Sequence, residues 1–355
     1  MAMGIYRALA ASAVLLAGMA AARADHLHYQ GFIDGKIAVV MELRSDADAK
    51  VVGTYQYAIS GKDIDLSGKV AGGVLTLTET TGDEKTGTFA LTRNDDGTVT
   101  GNWTSADGKR NLPVALVQIA ETATLRAVRP GDYSVQTQYL VFPERNDFLK
   151  ALNAKLEADA TAEQAALVKE AIAGVRERPR DAHYEWETSN EQRVTFADAS
   201  LVSIRTMGYS YTGGAHGNYG YSAQTYSSRE GKMTGMAVGD LIDTTPSALK
   251  GLAKLCIRDL KAQGASSPDD LVFDAKHLPT VNVTRAGLQF TFDPYEVGAY
   301  AEGTYVVTVP WKAAAEFVPA GSPVRRLMGD APATPAVTPR PVPAAGGSGE
   351  FPRPG

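Results

Sequence analysis

The 355-residue sequence holds one cysteine, Cys256, and only five histidines. A single thiol excludes an intramolecular disulfide, so stability must come from apolar cores. Beyond residue 24 no stretch is continuously apolar over the roughly 20 residues that a membrane-spanning helix needs. The phosphate-cradling GxxxxGK(S/T), the metalloprotease HExxH and the paired-cysteine CxxC are all missing, so no cofactor and no metal is assigned. Basic residues are also in deficit, 35 against 40 acidic ones. That balance argues against nucleic acid as a partner, because such binding rests on Lys and Arg neutralising phosphates.

What is present begins with an export pattern. Arg7 precedes the apolar run "ALAASAVLLAGMAAA", and "ARAD" then offers a small-x-small cleavage site. Residues 1–24 are therefore expected to be a signal peptide cleaved near Ala24. Met19 stands where a lipoprotein box would carry its cysteine, so no lipid anchor is expected. The product should be periplasmic or secreted, with no transmembrane segment. Losing Arg7 and Arg23 leaves 33 basic and 40 acidic residues, a net charge of −7. Such a field favours basic partners.

Residues 25–120 alternate apolar and polar positions between turns such as "AGG", "NDDG" and "ADG". That pattern predicts about eight antiparallel strands forming a meander or small barrel, since closure removes exposed strand edges. Residues 121–131 are expected to form a connector. From 132 to 327 helical spacings appear among strands, which predicts an α+β domain. Phe148, Leu149, Leu152 and Leu156 mark a first helix, and Thr161 with Gln164 reads as a capping box opening a second. Thr245 and Pro246 start another helix that carries Cys256 on its apolar face, and Gly264 ends it. Strands are expected near 183–190 and 192–207, and again around "GLQFTF" and "TYVVTVPW". Residues 328–355, rich in Pro, Ala and Gly, read as a disordered tail.

The stretch "YSYTGGAHGNYGY" sets His216 among glycines, with Tyr209, Tyr211, Tyr219 and Tyr221 around it. It runs on through "GKMTGMAVGDLI", and the later "DPYEVGAYAEG" brings Asp293, Tyr295, Glu296 and Tyr300. Together these motifs resemble an exported bacterial domain of unknown function. It forms the extracytoplasmic part of RsiV-type lysozyme-responsive anti-sigma factors and the non-catalytic region of PdaC-type peptidoglycan deacetylases. Residues from about 132 to 200 resemble the segment that usually precedes it. No sigma-binding segment, membrane helix or deacetylase domain is expected from these residues. The resemblance therefore implies a non-enzymatic binding protein of the cell envelope. Its ligand would be a basic, lysozyme-like wall hydrolase or a peptidoglycan fragment.

On that reading the binding residues are Tyr209, Tyr211, His216, Tyr219, Tyr221, Tyr295, Glu296 and Tyr300. Tyrosine supplies contact area at small entropic cost. The alternative is a small hydrolase or wall-modifying enzyme centred on His216. Ser210 or Thr212 would attack, and Asp293 or Glu296 would orient the imidazole, if the two loops meet. His26 and His28 at i, i+2 could hold a metal weakly, but two ligands leave the site incomplete. Oligomeric state is not encoded in any motif of the chain.

Overall fold

The computed structural model describes residues 26–45, 50–179 and 183–329. The expected signal peptide, and all but the first two residues of the expected tail, lie outside them.

Eight strands come first: β1 (Leu27–Ile33), β2 (Ile37–Ser45), β3 (Lys50–Tyr57), β4 (Ile64–Ala71), β5 (Val74–Thr81), β6 (Glu84–Arg93), β7 (Thr98–Ser105) and β8 (Asn111–Arg129). Each pairs antiparallel with the next, and β1 also pairs with β8, from Leu27↔Glu121 to Ile33↔Val114. The meander therefore closes into a barrel. Its inward positions, among them Tyr29, Met41, Leu77, Phe89, Leu91 and Trp103, are buried and fill the interior. One carboxylate sits with them. Glu79, 4% exposed, accepts from Tyr55 Oη at 2.8 Å, Trp103 Nε1 at 2.5 Å and Thr86 Oγ1 at 2.6 Å.

The barrel passes into the next layer without a break. Residues 121–129, expected to be a connector, continue β8 and pair with β9 (Tyr133–Val141). A sheet grows outward from there. The helix α1 (Asp147–Glu177) crosses over to β10 (Trp186–Ala197), which lies parallel to β9. Antiparallel β11 (Leu201–Tyr211), β12 (Asn218–Arg229) and β13 (Lys232–Met236) follow. The short α2 (Val238–Leu241) leads to α3 (Pro246–Gln263), which packs against a three-stranded sheet. That sheet is β14 (Thr280–Val283), β15 (Gly287–Phe292) and β16 (Tyr305–Pro310), closed by α4 (Trp311–Ala314). The fold is thus an all-β barrel followed by an α+β domain, as the patterning indicates.

Two details differ from the sequence expectation. The two helices expected across 147–177 are one, because Thr161 does not cap: its Oγ1 donates to Glu157 O one turn back at 2.8 Å. The strand break expected near 191 falls at Asp198 to Ser200 instead. There Asp198 Oδ1 accepts from the backbone N–H of Ser200 and Leu201, at 2.8 and 2.9 Å, and turns the chain.

Barrel and sheet meet along the outer wall of β1 to β3. Gln30 clamps the backbone of Ala197, and Arg193 bridges Glu42 (3.2 Å) and Asp63 (2.8 Å). His26 pairs with Glu42, while His28 bonds Thr122 Oγ1 at 2.8 Å. The two histidines thus serve this junction. Among the described residues no group of three or more His, Cys, Asp or Glu is placed to hold a metal ion. Cys256 is buried in the α3 core, and burial pushes its thiol well above the usual range.

Candidate functional site

The hairpin β11–β12 carries the first half of the site. Its register sets Tyr209 opposite Tyr219, Gly208 opposite Gly220 and Met207 opposite Tyr221. Strand alternation then puts Tyr209, Tyr219 and Tyr221 on one face. The connecting loop turns at Gly213 and Gly214, both at φ +100°, a conformation that favours glycine. Gly217 is needed for a different reason: a Cβ there would fall 2.4 Å from the ring of Tyr209. His216 Nδ1 donates to Gly217 O at 2.8 Å, which fixes the imidazole beside the loop.

The second half is the turn between β15 and β16. Asp293 Oδ1 accepts from Tyr221 N at 2.9 Å, on the part of β12 that β13 leaves unpaired. Glu296 Oε2 accepts from Asp293 N at 2.6 Å and closes the turn on itself. Tyr295 is held at φ +75°, yet its side chain is among the exposed large ones, at 68%. Glu302 braces the turn from behind, accepting from Ser266 Oγ (2.6 Å), Ala299 N (2.8 Å) and Tyr305 Oη (2.8 Å). Those donors hold its carboxyl down at about 2.

The two halves meet at Tyr300. Its ring stacks on His216, centroids 4.3 Å apart and planes at 25°, and its hydroxyl donates to Gly217 O at 2.7 Å. Tyr295 lies tilted against it at 5.5 Å and Tyr219 edge-on at 6.0 Å. Of the residues singled out in the sequence, His216, Tyr209, Tyr219, Tyr295 and Tyr300 come together. Tyr221 lies deeper, edge-on to Tyr219, with the buried Arg205 guanidinium 5.4 Å over its ring. Tyr211 turns to the rim, donating to Gly214 O and meeting Tyr184 edge-on at 6.0 Å.

Neither carboxylate hydrogen-bonds the imidazole, whose hydrogen-bond partner among the described residues is Gly217 O. Burial raises Asp293 above the ordinary carboxylate range. It raises Glu296 as well, with the nearby Asp293 charge adding to the effect. Sequence reasoning missed Tyr184 and Arg205. Tyr184 was hidden in "DAHYEWE", remote from the loop, although Gly213 packs on its ring. Arg205 reads as an ordinary strand cation until the barrel is seen to bury it.

Residues 132–219 match the family model described as Deacetylase PdaC, and residues 239–312 match Protein of unknown function (DUF3298). The two matched stretches follow one another in the second half of the chain. His216 belongs to the first and Tyr300 to the second, so the ring stack joins one to the other. Solved structures with a similar chain path include a DUF3298 family protein from Pseudomonas aeruginosa PAO1. It is 19% identical with a TM-score of 0.42, over 56% of this chain and 94% of that one. A DUF3298 member from Bacteroides fragilis NCTC 9343 is 16% identical with a TM-score of 0.41, over 59% and 97%. No curated protein matches the chain. Among the described residues no helix is long and apolar enough to cross a membrane.

Proposed function

We propose that the protein is an exported binding protein of the cell envelope, and that the His216 loop and the Tyr295–Tyr300 turn form its binding surface. One observation carries this reading. A ring cluster centred on Tyr300 is tied down from below and leaves Tyr295 exposed in a left-handed backbone conformation. Such strain costs on the order of 1–3 kcal/mol and persists where surrounding structure imposes it, often at ligand sites. Exposed, rigid tyrosines are suited to protein contacts. The export pattern and the PdaC segment support an envelope location.

The partner we infer is a basic, lysozyme-like wall hydrolase, attracted by the net charge of −7 that remains after signal cleavage. Calorimetric titration of the protein with a hen-type lysozyme tests this at low and moderate salt. Saturable heat that weakens as salt rises supports it; no heat at either salt removes that partner.

A second reading has its own observation. The same hairpin borders a groove of about 290 Å³, where Gly208 and Gly220 lie among Thr188, Asn190, Ser210, Asn218 and the tyrosines Tyr209 and Tyr219. Its polar side chains are uncharged amides and hydroxyls, which suit a neutral peptidoglycan glycan. Titration with soluble N-acetylglucosamine oligomers, repeated on Gly208→Val to fill the groove, distinguishes this ligand from the first. The hydrolase alternative centred on His216 needs a base–orienter hydrogen bond that the two loops do not make. Turnover of a wall substrate that disappears in His216→Ala with the fold intact would restore it.

A further inference from the structure

The ring cluster has a chemical bias that contact area alone does not explain. Asp293 and Glu296 sit in the turn that presents Tyr295. Among the described residues neither makes an ion pair with a lysine, arginine or histidine. Each has one carboxylate oxygen engaged by a backbone N–H, Asp293 Oδ1 from Tyr221 and Glu296 Oε2 from Asp293. Two negative charges in one turn repel each other and gain from a nearby cation, and Glu296 is exposed to one from solvent. The rings of the same turn offer what a cation needs. Tyr295 lies against Tyr300 at 38° with centroids 5.5 Å apart; His216 covers one face of Tyr300, so Tyr295, 68% exposed, offers the open ring face.

We propose that Tyr295 and the adjacent Glu296, with Tyr300 beside Tyr295, form a receptor for one lysine or arginine side chain of the protein partner. This rests on the binding-surface reading above and names the chemistry that would recognise the partner. A cation within about 6 Å of a tyrosine centroid is held by the ring face, more strongly when partly desolvated. The same hairpin already does this internally. Arg205, 7% exposed and without a hydrogen bond or ion pair among the described residues, lies 5.4 Å over Tyr221. The strained backbone at Tyr295 fits too, because it turns a ring outward that packs little within the chain itself.

The receptor can be tested without knowing the partner. The full chain, labelled on its tyrosine rings, is titrated with tetramethylammonium chloride and, as control, with sodium chloride. Saturable shifts of the Tyr295 and Tyr300 ring resonances with tetramethylammonium alone are expected, and they should vanish in Tyr295→Ala. Glu296→Gln should weaken the saturation about fivefold to tenfold, while Tyr295→Phe should stay within about twofold of the parent. Equal response to both salts, or full saturation in Tyr295→Ala, overturns the proposal. Ring shifts with tetramethylammonium but no heat with lysozyme would keep the receptor and reject that partner. Lysozyme binding that is unchanged in Glu296→Gln and Tyr295→Ala would reject the receptor and keep the partner.

Discussion

The imidazole of His216 lies stacked on the phenol of Tyr300, although one closes a strand hairpin and the other belongs to a turn between two strands of a different sheet. Gly217 O takes a hydrogen bond from both side chains, so the contact is a three-point tie. Tyr300→Phe keeps the stack and loses one donor, and should cost about 1 kcal/mol. Tyr300→Ala loses both, and should roughly double that loss. Urea unfolding measures the difference. Faster amide exchange around residues 213–217 in Tyr300→Ala, with the barrel unchanged, would show that the loss is local.

Glu79 gives a second expectation. Three side-chain donors converge on this carboxylate inside the barrel. Glu79→Ala would leave the Trp103 indole buried without an acceptor, at about 1–3 kcal/mol, and would leave the Tyr55 hydroxyl only Tyr57 Oη, 3.0 Å away. A fall in Tm of roughly 5 °C or more is expected. An unchanged Tm would mean that the barrel can relax around the missing acceptor.

Acid should weaken the junction between barrel and sheet before it weakens the cores. Burial lowers His28 from 6.5 to about 4, against an opposing pull from Glu42. As pH falls, the unfolded chain therefore binds the proton first. The stability tied to a neutral His28 is complete above pH 6.5 and drains between 6.5 and 4, by about 3 kcal/mol. Glu42 continues the trend. Burial would raise it, but the hydrogen bond from His26 and the charges of His28 and Arg193 prevail and hold it at about 2. Its contribution is lost between 4.5 and 2. Denaturant midpoints at pH 7, 5.5 and 4 should step downward in the parent and flatten in His28→Gln.

Gly174 sets helix propensity against packing. In an exposed helix, Gly→Ala gains about 1 kcal/mol. Here a Cβ would fall 1.9 Å from the Trp186 ring, where α1 rests on the start of β10. Gly174→Ala should therefore destabilise, and thermal melts that show a gain would refute this packing.

Much of this was legible in the sequence because the barrel strands are half-buried. Leu75, Leu77 and Glu79 point inward, while exposed Thr76 and partly exposed Thr78 point out, so the period of two survives in the residue types. The closure of β1 on β8 was not legible, since register between distant strands leaves no local mark. The single helix α1 was misread because Thr161 has capping chemistry and only long-range packing, such as Gln164 to Thr137 at 2.7 Å, shows that the helix continues. At the site, the glycines and tyrosines could be named in advance, and their convergence could not. Tyr300 meets His216 only because β14 and β15 bring the turn to the open edge of β12.

The most direct test of the account is calorimetry of the protein with a hen-type lysozyme, run beside Tyr295→Ala and Tyr300→Ala. The expected result is salt-sensitive binding by the parent, weakened about tenfold or more in each variant while both remain folded. Binding of equal strength in all three proteins, or none in the parent, would contradict the assignment of this surface to that partner.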